Sequence, residues 1–300
     1  MNATETPEWI AVDWGTSNLR AYAMQGGTVV ARAQSEKGMA ALTPEQFEPT
    51  LEYLVESWER PDAPVVACGM VGSRQGWIEA PYRTVPTSPL ADTLARVPSS
   101  NGRPVFIIPG LAQHDPADVM RGEETQIAGF LNLNPGWDGV LCLPGTHTKW
   151  AHLSAGEVVS FQTFMTGELF ALLSNTSVLR HSVSGEDWDD SVFDAALSEA
   201  LSKPERLAAK LFNLRATDLL HGQSKGAARA ALSGYLIGAE LAAARPYWLG
   251  QNLAILGTDG QARAYQSGLS TQGVPAMLVN AERATLAGLT TAYRKVKKTL

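Results

Sequence analysis

The stretch WIAVDWGTSNLRAYAM, Trp9 to Met24, constrains the fold more than any other part of the chain. An apolar strand ends in an aspartate, turns through Gly-Thr-Ser-Asn and at once becomes a second apolar strand. A plain two-residue hairpin needs no more than Asn-Gly. This turn instead carries a carboxylate (Asp13), a glycine (Gly15), two hydroxyls (Thr16, Ser17), an amide (Asn18) and then Arg20. That set suits an anionic ligand with a metal ion.

Three consecutive strands are expected at 9–14, 19–24 and 28–34, with Gly26-Gly27 as the second turn. Thr43-Pro44 opens a helix expected over 43–58, in which Phe47, Leu51, Leu54, Val55 and Trp58 recur at helical spacing. PVVACG (64–69) and PVFIIPG (104–110) are continuous apolar runs bounded by Pro and Gly, the pattern of parallel strands covered on both faces. A helix follows from about Arg121. At 139 the pattern restarts. GVLCLPGTHTKWAHL (139–153) is strand, Gly-Thr turn, strand, and EVVSFQTF (157–164) is a third strand. Helices are expected at 166–174, 188–202, 204–213 and 226–244. NLAILG (252–257) and PAMLVN (275–280) are buried strands, each leading into a helix. The recurrence predicts an α/β chain of two similar lobes, 1–135 and 136–300, each a mixed sheet flanked by helices. LNLNPGWDG (131–139) is the expected linker, and the last helix is free to pack back on the first lobe.

Composition narrows the function classes. Of 300 residues, 45% are hydrophobic and 18% charged, which describes a folded chain long enough for two cores. No apolar run reaches the ~20 residues of a membrane span. The start, MNATETPEW, lacks a basic segment and an apolar core, so no secretory signal is expected there. Cys68 and Cys142 lie far apart in apolar runs and read as reduced, buried thiols of a cytoplasmic protein. A net charge of −6 argues against nucleic acid but not against a small anionic substrate met by clustered arginines.

Several segments have the residue types for chemistry. Backbone N–H groups of a tight Gly-Thr-Ser turn can converge on a phosphate, and Asp13 can hold Mg2+ through its water shell. The same residues are also ordinary turn formers. PGTHTKW has Pro144 in place of the aspartate but keeps Gly145, Thr146, Thr148 and Lys149, although Lys149 also reads as a solvated strand residue. Two such turns would grip a polyphosphate from both sides. In DVMRGEETQIAGF (118–130), Arg121-Gly122-Glu123-Glu124 lies where an extended segment gives way to a helix. A carboxylate there can serve as general base toward a hydroxyl, or simply complement the helix dipole. GMVGSRQGWIEAPY (69–82) sets Ser73, Arg74, Trp77 and Tyr82 among three glycines, and Arg74 can pair bidentately with a carboxylate. In TFMTGELFALL (163–173), Thr166 and Glu168 flank Gly167 at a helix start where Thr166 is expected to cap. AILGTDGQARAYQSGL (254–269) is a strand, a Gly-rich turn and a helix, able to floor an adenine pocket.

No Walker A string, GxGxxG opening a βα unit, HExxH, GxSxG or metal-spaced cysteine pair occurs. The blocks DWGTSNLRA, GMVGSRQGWIEAPY, DVMRGEETQ, PGTHTKW, FMTGEL, LSGYLIGAE and LGTDGQARAY together resemble the sugar kinase, heat-shock-70 and actin superfamily. Within it they resemble the 2-dehydro-3-deoxygalactonokinase family. The likeness spans nearly the whole chain, 183–225 having little counterpart. It implies an actin-like (ribonuclease H-like) ATPase fold with two lobes and the nucleotide in the cleft. It also implies ATP and Mg2+ as cofactors, and phosphorylation of 2-dehydro-3-deoxy-D-galactonate at its terminal C6 hydroxyl in galactonate breakdown.

The resemblance puts the first phosphate motif on Asp13, Gly15, Thr16, Ser17 and Asn18, with Asp13 at the metal. The second falls on Gly145, Thr146, Thr148 and Lys149, and the adenosine motif on Gly257 to Gly260. Arg20, Ser73, Arg74, Trp77, Arg121, Thr166 and Glu168 are the expected acceptor contacts, with the arginines on the acceptor's carboxylate. Related sugar kinases place an aspartate base just before a helix; the matching stretch here offers Glu124 or Glu123, and Asp13 is a rival. Three other readings remain: a kinase for a neutral sugar, which has no use for Arg74; a phosphohydrolase on the same scaffold; and a nucleotide-dependent filament or binding protein. The expected partner is a small sugar acid, with no nucleic acid and no membrane, and a homodimer is compatible with these features.

Overall fold

The structure, a computed structural model, describes residues 6–298. They gather into two compact units, one of residues up to 137 with 153–160 and those from 281, the other of 138–152 and 161–280. In the first unit β1 (Trp9–Trp14), β2 (Leu19–Gln25) and β3 (Thr28–Ser35) form the expected meander. Alternation along β1 decides what each face covers. Ile10, Val12 and Trp14 face one side, where α1 (Phe47–Val55) lays Phe47, Leu51 and Val55 on them. Trp9 and Ala11 face the other, against Leu289, Ala292 and Tyr293 of the last helix. β4 (Val65–Gly69), buried throughout, pairs parallel to β1. After β5 (Arg83–Thr84) and β6 (Ala95–Val97), β7 (Val105–Ile107) completes a sheet ordered β3-β2-β1-β4-β7-β6. β8 (Leu111–His114) and β9 (Ala117–Met120) form a hairpin that joins β5 in a small sheet. The hairpin delivers the chain at Arg121 to α2 (Glu123–Leu133).

The second unit opens with β10 (Gly139–Leu143), β11 (Thr148–Ser154) and β12 (Glu157–Phe164). Helices α3 (Thr166–Asn175), α4 (Asp190–Ser202), α5 (Leu207–His221), α6 (Lys225–Ala243) and the short α7 (Arg245–Trp248) follow. β13 (Leu253–Gly257), α8 (Asp259–Ser270) and β14 (Ala276–Asn280) end it, and α9 (Ala281–Val296) belongs with the first unit. The sheet order β12-β11-β10-β13-β14 repeats β3-β2-β1-β4-β7. β13 lies parallel to β10 and β14 to β13, as β4 does to β1 and β7 to β4. Among the described residues, no helix is long and apolar enough to cross a membrane.

Three expectations need local adjustment. The helix expected over 43–58 is α1 flanked by 3-10 turns at Pro44–Gln46 and Glu56–Trp58. Pro44 and the Thr43–Gln46 capping box fix the entry, and Glu59 in the left-handed region ends it. The strand expected over 104–110 is only Val105–Ile107. The helix expected over 204–213 runs on as α5 to His221, where Gly222 at φ 66° closes it.

Two helix pairs depend on missing side chains. A Cβ on Gly129 of α2 would lie 1.8 Å from the Ala284 carbonyl oxygen of α9, and one on Gly288 of α9 1.9 Å from that of Thr125. On α6, Gly234 and Gly238 admit the backbone of α4 in the same way. Gly129→Ala is therefore expected to destabilise the protein by ~1–3 kcal/mol, because two backbones must separate. Gly27→Ala, with nothing nearer than 3.8 Å to its Cβ, is expected to stay within ~0.5 kcal/mol. Urea unfolding of both variants checks the difference, and equal midpoints would remove close helix approach as a stabilising element.

Candidate active site

In the first unit the site begins where β1 and β4 end side by side. Register sets Asp13 opposite Arg20 on β2 and beside Cys68 on β4. The Arg20 Nη1 lies 3.3 Å from Asp13 Oδ2, and the Cys68 thiol is 4.0 Å from Oδ1. Burial pushes the Asp13 carboxyl up, Arg20 pulls it down, and the charge of Glu123 adds to the rise. The turn beyond is closed by Gly15 N–H to the Asn18 carbonyl at 2.9 Å. It is braced from behind, since Met39 and Ala40 N–H donate to the Gly15 and Thr16 carbonyls, each at 3.0 Å. Thr16, Ser17 and Asn18 are left exposed.

The start of α2 comes to the same place through glycine. Gly122 has φ 110°, and a Cβ on it would stand 3.3 Å from the Cα of Gly69 at the end of β4. The two glutamates then diverge. Glu124 has no exposed surface; its Oε2 accepts from Gly122 N–H at 2.6 Å and its Oε1 from the Thr125 hydroxyl at 2.9 Å. Burial, and then the charge of Glu123, push its carboxyl up to about 7. Both Glu124 and Asp13 help push the buried Cys68 thiol up. Glu123 is only half-buried, its Oε2 accepts from Arg121 N–H at 3.1 Å, and its charge is felt at Asp13. Of the two glutamates offered as base, the one facing Asp13 and solvent is Glu123, while Glu124 is built into the interior.

The 69–82 loop sorts its side chains differently from the sequence expectation. Trp77 is a packing residue, stacked on Phe47 at 6.5 Å and edge-on to Trp14 at 6.3 Å. The Arg74 side chain is 81% exposed, with Glu79 at 3.6 Å. Arg121 is 8% exposed, its Nη2 donates to the Ala80 carbonyl at 2.8 Å, and its guanidinium lies 4.2 Å from the Tyr82 ring centre. Among the described residues its Nε and Nη1 have no hydrogen-bond partner, and neither does the buried hydroxyl of Ser73. Gly72 makes the room, since a Cβ there would be 3.0 Å from Arg121 Nη1.

The second unit holds a cavity of about 820 Å³. Gly145 of the β10–β11 turn, Thr166 and Gly167 of α3, and Thr258 and Gly260 after β13 line it together with residues of α4, α6 and α8. Gly257 is buried at the end of β13 and is not among the residues that line the cavity; a Cβ on it would stand 3.4 Å from Ala262 and 3.6 Å from Pro144. Thr148 and Lys149 turn inward: Thr148 Oγ1 is 3.0 Å from the Tyr265 hydroxyl, and Lys149 Nζ donates to the His147 carbonyl at 3.3 Å. Lys149 is thus no solvated strand residue. Thr146 stays exposed, with its carbonyl accepting from Glu168 N–H at 2.9 Å. Glu168 also meets His147 Nε2 at 2.5 Å. Thr166 does not cap: Met165 is the N-cap residue and makes no side-chain cap, and the Thr166 hydroxyl bonds Glu240.

Sequence reasoning missed the aromatic wall of this cavity. Trp188 and Phe193 line it, 5.4 Å apart, and Arg229 crosses the Phe170 ring at 4.8 Å. Trp188 Nε1 donates to Asp190 Oδ1 at 3.0 Å, and Ser267 donates to Asp194 Oδ1 at 2.9 Å. The available signal was the Asp190–Asp194 spacing of four with Phe193 between, on a helix that had been foreseen.

Residues 13–292 match the model of a family described as 2-keto-3-deoxy-galactonokinase. The chain is 38% identical over 299 residues to a probable 2-dehydro-3-deoxygalactonokinase of Rhizobium meliloti (strain 1021), covering 96% of this chain and 97% of that one. It is 37% identical over 290 residues to the 2-dehydro-3-deoxygalactonokinase of Escherichia coli (strain K12), covering 95% and 97%. A crystal structure from Sinorhizobium meliloti, provisionally named a 2-dehydro-3-deoxygalactonokinase, superimposes with TM-score 0.90 at 37% identity over 96% of each chain. The architecture is the α/β fold of actin-like kinases and ATPases.

The buried Glu124 makes stability depend on pH. Its folded-state value of about 7 stands above an ordinary 4.5, so the unfolded chain gives up this proton first. Its contribution is therefore fully present below about pH 4.5 and is lost as pH rises through about 7. The loss amounts to at most about 3 kcal/mol. Glu124→Gln, which keeps the acceptor for Gly122 N–H, is expected to flatten this fall. Urea midpoints across this range test it, and an unchanged pH slope would acquit Glu124.

Proposed function

The chain belongs to the 2-keto-3-deoxy-galactonokinase family, and from that premise we propose that it phosphorylates 2-dehydro-3-deoxy-D-galactonate on its terminal hydroxyl with ATP. The observation that carries the acceptor assignment is Arg121. A buried guanidinium with two nitrogens unpartnered among the described residues, close to Gly72 in a loop whose following Ser73 hydroxyl is also unpartnered, lacks what a carboxylate supplies. The same short segment supplies the base, Glu123, two residues on. A sugar acid held at one end by Arg121 leaves its far hydroxyl to be presented to a carboxylate.

Phosphoryl transfer asks the protein mainly for alignment and charge stabilisation. In this reading Glu123 orients the acceptor hydroxyl and takes its proton on a carboxylate oxygen. In the second unit the Trp188–Phe193 cavity takes the nucleoside, with the backbone of Gly145–Thr146 beside it for phosphate; in the first unit the exposed Thr16–Asn18 turn suits an anion. Among the described residues no three His, Cys, Asp or Glu side chains gather as a metal cage. Asp13 alone suits Mg2+, which keeps most of its waters and draws other ligands from phosphate oxygens. Mg2+ there would neutralise charge on the transferring group. Arg20, paired with Asp13, holds that carboxylate in place.

Glu123→Gln is expected to lower kcat by ~10²–10⁴ while the KM for ATP changes little. Glu124→Gln is expected to stay within about tenfold of the parent. A coupled ADP-release assay decides, and a reversed ranking would hand the base to Glu124. With the same assay, Arg121→Ala is expected to raise the KM for the sugar acid at least about tenfold more than the KM for ATP. Arg74→Ala is expected to shift either by less than about threefold. Equal effects of Arg121→Ala on both substrates would refute its role.

A further inference from the structure

We propose that Glu240 is a positioning residue for ATP: a buried carboxylate on α6 that holds the second Gly-Thr turn, the first turn of α3 and helix α8 in one fixed arrangement. The inference rests on the reading of the second-unit cavity as the nucleotide site. Glu240 is 3% exposed. Its Oε1 accepts the indole N–H of Trp150 on β11 at 2.8 Å, and its Oε2 the phenol O–H of Tyr265 on α8 at 2.7 Å. The hydroxyls of Thr166 and Thr148 bond to it as well. Thr148 Oγ1 also lies 3.0 Å from the Tyr265 oxygen; Tyr265 gives its one proton to Glu240, so the Thr148 proton goes either to the phenol oxygen or to the carboxylate, and both arrangements hold the three groups together.

None of these four partners belongs to α6. They come from β11, the strand that leaves the turn carrying Gly145, and from α3 and α8, whose Thr166 and Tyr265 line the cavity directly. The coupling reaches the phosphate turn along two routes. Thr148 and Trp150 are the first and third residues of the strand that leaves the turn. Gly167, next to Thr166, lies so close over the turn that a Cβ on it would be 2.2 Å from the Gly145 carbonyl. A shift at Glu240 therefore moves the turn and the cavity wall together.

The donor count favours a positioning role over simple packing. An ionised carboxylate has about four acceptor sites and no proton to give, and four side chains that can all donate surround it. Burial pushes this carboxyl up, and the donors of Thr166, Trp150, Tyr265 and Thr148 around it pull it back. An apolar residue of equal size would fill the space with no charge to desolvate, but it would not tell the hydroxyls where to point. Nor does a negative charge near a phosphate-binding turn attract the ligand. What it supplies is geometry.

The test is steady-state kinetics with both substrates on Glu240→Gln, which keeps the volume but replaces one acceptor oxygen with a donor. The KM for ATP is expected to rise about tenfold, the KM for the sugar acid to stay within about twofold, and the urea midpoint to be largely retained. Tyr265→Phe, which removes a single donor, is expected to give a smaller rise of about threefold in the same KM, and it serves if Glu240→Gln folds poorly. A loss of kcat with both KM values unchanged, as fewer folded molecules would give, overturns the proposal, as does an equal rise in both. Ala264→Trp, which fills the cavity, separates the two readings. If it leaves the KM for ATP unchanged, the cavity is not the nucleotide site and the proposal falls with that reading. If it raises that KM while Glu240→Gln and Tyr265→Phe do not, Glu240 alone is refuted.

Discussion

Everything in the first unit's site follows from two parallel strands that end together. β1 and β4 stop in register, with Asp13 beside Cys68 and Trp14 beside Gly69, so the chain segments that leave them issue from one edge. Parallel strands collect their following loops in this way, which is why such sheets bind ligands beyond their carboxyl ends. From that edge come the Gly15–Asn18 turn and the 70–82 loop, and the contact between Gly122 and Gly69 brings the first turn of α2 to the same place. The second unit repeats the device with β10 and β13. The turn after one supplies Gly145 to the cavity, and the turn after the other supplies Thr258 and Gly260.

Desolvation then gives three carboxylates three characters. Burial pushes Asp13, Glu124 and Glu240 upward alike, so their neighbours make the difference. Asp13 has one cation at 3.3 Å and about a quarter of its side chain exposed, which leaves it reachable. Glu124 is met by an amide and a hydroxyl from its own helix start and has no exposed surface, so it steadies the bend at Gly122 rather than facing a substrate. Glu240 draws its donors from three separate elements and ties them together. A residue type alone does not distinguish reactive, local and bridging acids; the origin of the donors does.

That distinction also marks what the sequence could and could not say. Alternating and continuous apolar runs placed β1, β2, β4, β10, β12 and β13 within a residue or so, because burial on one or two faces is written into local composition. The recurrence of a Gly-Thr turn before a third strand foretold two sheets of one topology. The β8–β9 hairpin escaped, as its strands are four residues each and partly polar. Within the site, glycines and turn residues were legible because backbone geometry is local. Whether Trp77 faces a ligand or Phe47, or whether Thr166 caps its helix or bonds Glu240, depends on residues distant in sequence. The Trp188–Phe193 wall was hidden for a related reason: it lies in 183–225, where the chain has little counterpart in the motifs that carried the resemblance.

The choice between Arg74 and Arg121 shows how burial, rather than identity, assigns selectivity. Both are arginines near the same loop, and both suit a carboxylate. An ion pair made at an exposed arginine such as Arg74 is worth ~0–1 kcal/mol, since water competes for both partners. A buried, charge-assisted hydrogen bond is worth ~1.5–3 kcal/mol, and its absence leaves a desolvated donor unpaired. The Tyr82 ring face offsets part of that cost at Arg121 without filling the hydrogen-bonding positions of Nε and Nη1. A neutral sugar would offer these nitrogens only uncharged hydroxyl acceptors, whereas a sugar acid would bring a charged carboxylate able to take both in parallel. Sites built on buried donors reject analogues that lack the matching acceptor far more strongly than apolar pockets reject a misfit methyl. On the function proposed above, preference for an acid over a neutral sugar would arise from the unmet valences of Arg121, since an arginine in solvent has none to offer.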